Sequence, residues 1–155
     1  MKSLPPFVWF SARLFLGFVF AYSGFSKLME PVENFRGVIA QYQVVPYSFV
    51  PFIAITFPWI EFIFGTFLIL GFAPRISALV LALLSFTFLI VLGSSNILLG
   101  QAPMSCGCFG ESGIHLTVRQ VFFLDIFDLA IGFKLYSIKE HPWSLDNWLK
   151  KVTSA

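Results

Sequence analysis

Charge is what this sequence has least of. Only 12% of its 155 residues are Asp, Glu, Lys or Arg, against 57% hydrophobic and 19% aromatic. A water-exposed surface needs far more charge than that, so the composition excludes a soluble domain and makes lipid the natural solvent. A net charge of +2 with no basic run interleaved with aromatics excludes nucleic acid as a partner. Cysteine is scarcer still: Cys106 and Cys108, separated by Gly107, are the whole complement. No internal repeat or low-complexity tract breaks the chain, and its length suits one membrane domain over 1–155.

What the sequence does have is long apolar runs. A helix needs about 20 apolar residues to cross the hydrocarbon core. Four stretches qualify, at about 7–28, 49–71, 76–99 and 118–138. Turn chemistry separates them: Glu30-Pro31, then Gly71-Phe72-Ala73-Pro74, then Gly100-Gln101-Ala102-Pro103. The first run is about twice the apolar core of a secretory signal, so it reads as a retained span despite the small residues at Ala21-Tyr22-Ser23. The expected fold is all-α: a membrane protein built as a four-transmembrane-helix bundle.

Four spans put both termini on one side. Lys2, Arg75, Lys134, Lys139, Lys150 and Lys151 fall on or near that side, and Lys27, Arg36 and Arg119 fall opposite. Positive residues favour the cytoplasm, which predicts cytoplasmic termini and an outward-facing loop at 100–117. In a bacterial inner (plasma) membrane that loop faces the periplasm, where disulfides persist. Two amphipathic stretches flank the spans. Val32, Phe35, Val38, Ile39 and Tyr42 recur at helical spacing and predict an outer surface helix over about 32–45, either a plain surface-seeking segment or a lid that roofs the bundle. Trp143, Trp148 and Leu149 beside Lys150 and Lys151 predict an inner amphipathic tail over about 140–152.

Cysteines at i and i+2 close on each other only in a small ring. Disulfide geometry wants Cα atoms about 4.4–6.8 Å apart, and Gly107 supplies backbone freedom that other residues lack. The ring is strained, and about 3 kcal/mol of strain makes a two-electron couple roughly 60 mV more oxidising. A cross-link that closes almost no loop adds little stability. Cys106 and Cys108 therefore read as a redox-active pair, the candidate catalytic residues, with Gly107, Phe109 and Gly110 shaping the loop. The alternative is copper: Met104, Cys106, Cys108 and His115 are the soft or borderline ligands that Cu(I) takes. A structural zinc site fits less well, because it needs four good ligands at wider spacing.

The segments RLFLGFVFAYSGFSKL (13–28), YQVVP (42–46), FPWIEFIFGTFLILG (57–71) and CGCFG (106–110) resemble, in content and order, the MauE/DoxX-like membrane proteins. The resemblance implies a four-helix membrane protein that handles thiol redox chemistry. Members of the MauE type are associated with disulfide formation in methylamine dehydrogenase alongside a thioredoxin-like partner. Members of the DoxX type are tied to thiosulfate and quinone chemistry. The architecture also resembles, by analogy of mechanism, the vitamin K epoxide reductase and DsbB class. That class carries a second, relaying cysteine pair. This chain has none, so a partner must meet Cys106 or Cys108 directly.

Ionisable residues inside the spans are the remaining signal. Arg13, Glu61, Asp125 and Asp128 each cost about 2.5–3.5 kcal/mol at the bilayer centre and must face the bundle interior, water or one another. At 1.5 Å per residue, Arg13 lies roughly 9 Å and Asp128 roughly 15 Å from the inner side, which suggests an Arg13–Asp128 ion pair. Asp125 and Asp128 share a helix face. These carboxylates read as pins for helix packing, or as a proton route serving a quinone. Lys27, at the outer end of the first span, reads as an interfacial anchor, or as a cation that favours a thiolate in the cysteine loop. Tyr22 and Trp59 are candidates to line a quinone site between helices. The combined expectation is a membrane thiol–disulfide oxidoreductase. Cys106/Cys108 would exchange electrons with a periplasmic thioredoxin-like protein or a small sulfur species, and ubiquinone or menaquinone would be the cofactor. A Cu(I)-handling protein and a non-catalytic membrane subunit are the alternatives.

Overall fold

The computed structural model describes residues 5–41, 46–98 and 117–138. These are helical, with no strand among them: α1 (Pro6–Met29), α2 (Val32–Gln41), α3 (Val50–Leu70), α4 (Pro74–Leu98) and α5 (Val118–Ser137). The inner tail expected over about 140–152 lies outside the described residues.

Local chemistry sets the ends. Prolines stand in the first turn of α1 and of α3, where the missing N–H costs nothing because it would have no partner within the helix. Gly71 closes α3 in the left-handed conformation, φ 73° and ψ 29°. The Gly71 N–H donates to the Leu68 carbonyl at 3.2 Å and the Phe72 N–H to the Phe67 carbonyl at 2.9 Å. Pro74 then opens α4, so α3 and α4 are joined by a tight reversal. A reciprocal cap opens α5. The Gln120 N–H donates to Thr117 Oγ1 at 3.4 Å, and Gln120 Oε1 accepts from the Thr117 N–H at 3.0 Å. Thr117→Ala is expected to cost about 1 kcal/mol, read as a lower thermal midpoint in detergent.

Small residues set the packing. Without a hydrophobic force between helices in lipid, close backbone approach is what holds them. Gly17 meets Gly65 and Ile69, and Gly24 meets Pro58 and Phe62, so α1 and α3 run antiparallel in near-backbone contact. On the other side Gly132 of α5 faces Ala78 and Ala82 of α4. Arg75 Nε donates to the Tyr136 carbonyl at 3.3 Å, which fixes α4 and α5 as antiparallel. The two hairpins meet along α3–α4 and α1–α5. The start of α1, the end of α3, the start of α4 and the end of α5 therefore gather at one end of the bundle.

At the other end α2 lies across the helices. Val38 packs with Leu92 of α4 and Val121 of α5, while Phe35 turns inward. Among the described residues three helices are long and apolar enough to cross a membrane: α1, α3 and α4. Large apolar side chains such as Phe7, Phe18, Phe52 and Phe123 cover the outside of the bundle. The chain is a multi-pass membrane protein, all-helical over the described residues, that buries Arg13, Lys27, Glu61, Asp125 and Asp128 while many of its phenylalanines face outward. The fourth long helix, α5, carries Arg119, Asp125, Asp128 and Lys134 within its 20 residues.

Candidate functional site

Beneath α2 the bundle encloses a set of charged and hydroxyl side chains. Ser23 and Lys27 stand four residues apart on one face of α1. Gly24 lies between them, and its contact with Pro58 and Phe62 brings Glu61 of α3 within reach. Lys27 Nζ donates to Glu61 Oε1 at 2.9 Å, to Glu61 Oε2 at 2.7 Å and to Ser23 Oγ at 3.0 Å. Ser23 Oγ in turn donates to Glu61 Oε2 at 3.1 Å. Both charged side chains are 1% exposed. The ring of Phe35, from α2, lies 5.1 Å from the ammonium and that of Phe88, from α4, lies 5.4 Å from it. Aromatic faces attract a cation most strongly when water is excluded, as it is here. Four helices thus build one sealed ion pair.

The fifth helix adds carboxylates. Asp125 lies within electrostatic reach of Lys27, Glu61 and Asp128. Asp125 and Asp128 are both buried, and Ser85 of α4 is fully so. Leu92 packs on Val121 to one side, and Gly132 packs on Ala82 to the other, so Ser85 comes level with the two aspartates. Ser85 Oγ, Asp125 Oδ2 and Asp128 Oδ1 have no hydrogen-bond partner among the described residues. These are the acceptor positions left open in the interior. The Lys27–Glu61 unit, by contrast, has both carboxylate oxygens occupied.

Several sequence expectations meet this geometry differently. The structure seals Lys27 inside against Glu61, so it is not an anchor at the headgroups; the cysteine loop it was expected to approach lies outside the described residues. Arg13 is buried with its guanidinium 5.2 Å above the Phe10 ring, on a helix packed against the one that carries Asp128. Tyr22 and Trp59 do not line the interior: they are 36% and 52% exposed, on the outward faces of α1 and α3. Met104, Cys106, Gly107, Cys108, Phe109, Gly110 and His115 lie outside the described residues. The segment that carries them, 99–116, joins α4 to α5 at the end that α2 covers. No group of three metal-ligating side chains occurs among the described residues.

Sequence reasoning had missed the Lys27–Glu61 pair. The signal was available: a serine and a lysine one turn apart on α1, flanking a glycine, with the glutamate one turn after a proline on the next span.

The family model for methylamine utilisation protein MauE matches residues 5–135. A methylamine utilization protein MauE from Paracoccus denitrificans is 30% identical over 106 residues. That alignment covers 68% of this chain and 56% of the relative, so the chain spans about half the length of the curated protein it matches. No solved structure matches. With the ordered helices and both sides of the buried pair lying inside the matched region, this chain belongs to the MauE family.

Proposed function

We propose that this chain is a membrane thiol–disulfide oxidoreductase serving methylamine utilisation, the process in the name of its relative. One observation carries the reading. The segment with Cys106 and Cys108 enters and leaves the bundle at the end where α2 covers the sealed Lys27–Glu61 pair. A thiolate of a thioredoxin-like partner attacks one sulfur of the Cys106–Cys108 disulfide, passes through a mixed disulfide, and leaves oxidised. The resulting Cys106/Cys108 dithiol would then be reoxidised, its two electrons and two protons going to a membrane quinone, which would supply the oxidant that restores the disulfide. The buried pair holds α1 and α3 in register beneath the reacting segment.

In this reading α5 is the fourth span and the termini are cytoplasmic. Burial of Lys27 removes one cation from the outer side, where Arg36 and Arg119 remain against Arg75 and Lys134 opposite; the orientation rests on Lys2, Lys139, Lys150 and Lys151, which the sequence adds to the terminal side. The cysteine segment then faces the periplasm, across the inner membrane.

Trapping tests the reading. In cells, Cys106→Ser and Cys108→Ser chains are isolated under acid quench and resolved without reductant. One of the two is expected to carry a thioredoxin-fold protein in a covalent complex that reductant releases. If neither captures a partner, and both cysteines are instead needed to hold Cu(I) with Met104 and His115, the thiol-exchange reading is overturned.

A further inference from the structure

The charges inside the bundle do not cancel. Among the described residues the buried ionisable groups are Arg13, Lys27, Glu61, Asp125 and Asp128. That is two cations against three anions. Lys27 and Glu61 satisfy each other through both carboxylate oxygens. Arg13 offsets one aspartate in the count, which leaves one negative charge in excess among the described residues. The interior of a bilayer does not hold an uncompensated charge at rest, so one further positive charge belongs there.

The open acceptors mark where. Ser85, Asp125 and Asp128 are 0%, 7% and 1% exposed, and each has a side-chain oxygen without a hydrogen bond among the described residues. The two aspartates share a face of α5 and interact electrostatically, and Ser85 stands level with them on α4. We propose that Asp125, Asp128 and Ser85 form a proton-binding site, in which the two carboxyl groups share one exchangeable proton and the serine hydroxyl is its hydrogen-bond neighbour.

The occupant is a proton and not a metal ion. A hard cation takes about six or more oxygen ligands, and three oxygens stand open here. A carboxyl proton needs only one neighbouring acceptor. Facing the site are Lys27 from α1, Glu61 from α3 and Ser85 from α4; Arg13, also buried, lies on α1, which packs against α5. From α2, Phe35 and Val38 turn inward, Glu33 is exposed and Arg36 is half-buried.

Dicyclohexylcarbodiimide tests this, because it enters lipid and converts protonated buried carboxyls to stable N-acylureas. The full chain in native membranes is labelled across a pH series and its peptides are read by mass spectrometry. One adduct per chain is expected, on Asp125 or Asp128, fading as pH rises and indifferent to sodium. Asp125→Asn and Asp128→Asn each remove the excess charge, so each is expected to abolish labelling of the aspartate that remains. Ser85→Ala should still label. The inference goes beyond the thiol reading and is tested apart from it, since Cys106→Ser/Cys108→Ser must label like the wild type. No adduct on the wild-type chain at any pH, an adduct on Glu61, two adducts in one chain, or protection by sodium would each overturn the shared proton. The wild-type result alone suffices if an Asn variant fails to fold.

Discussion

Lys27→Met, with Glu61 left in place, is expected to cost about 3–5 kcal/mol, because it strands a carboxylate where no water reaches it. Glu61→Leu alone should cost a similar amount for the opposite reason: the ammonium keeps Ser23 and two aromatic faces but loses its counter-charge. The double variant Lys27→Met/Glu61→Leu is the informative one. Replacing a buried pair by apolar residues of similar volume is often neutral or stabilising, so most of the loss should return. Reversible unfolding in detergent micelles measures all three. Single changes costing less than about 1 kcal/mol would mean that water enters and the pair is not sealed. The double variant also separates structure from function. If it is stable yet fails to complement loss of the wild-type chain, the charges act in the chemistry and not only in holding the helices.

The second large effect is steric. A Cβ on Gly24 would lie 2.5 Å from the Phe62 nitrogen and 2.7 Å from the Pro58 carbonyl oxygen, and one on Gly65 would lie 2.5 Å from the Ala21 nitrogen. These obstacles are backbone atoms and cannot rotate away. Gly24→Ala and Gly65→Ala must push α1 and α3 apart, at about 1–3 kcal/mol each, the usual cost of overpacking. The Lys27–Glu61 bonds bridge that same seam, so separation weakens them too. Gly37→Ala and Gly93→Ala provide the control, since nothing lies within 4 Å of a Cβ at either position. There the ordinary helix preference for alanine applies, and a gain of roughly 0.5–1 kcal/mol is expected. Equal losses at all four positions would show that the close approach of α1 and α3 is not what holds the bundle.

Much of this was legible in the sequence, for physical reasons. Lipid demands continuous apolar runs, so the hydropathy of 7–28 or 49–71 points directly to α1 and α3. The 3.6-residue spacing of Phe35 and Val38 gave α2 an inward face. Lys27 resisted the reading because a lysine near a helix end normally snorkels to the headgroups. Only the roof laid by α2 closes that exit. Tyr22 and Trp59 were legible in principle. The buried positions of α3 run Ala54, Pro58, Glu61, Gly65 and Leu68, and Trp59 falls off that stripe. Tyr22 likewise misses the buried face of α1 that carries Leu16, Phe20, Ser23 and Lys27. Aromatic character drew attention that helical phase would have refused.

The division into two hairpins has a consequence for biogenesis. The hairpin of α1 and α3 holds Arg13, Lys27 and Glu61, a surplus of one positive charge, and its lysine finds its counter-ion within the same unit. It can leave the insertion machinery with most of its electrostatic debt settled. The hairpin of α4 and α5 brings Asp125 and Asp128 with no buried cation of its own among the described residues. With α5 as the proposed fourth span, the late-arriving half is drawn to the early one by opposite sign, through a medium that screens almost nothing.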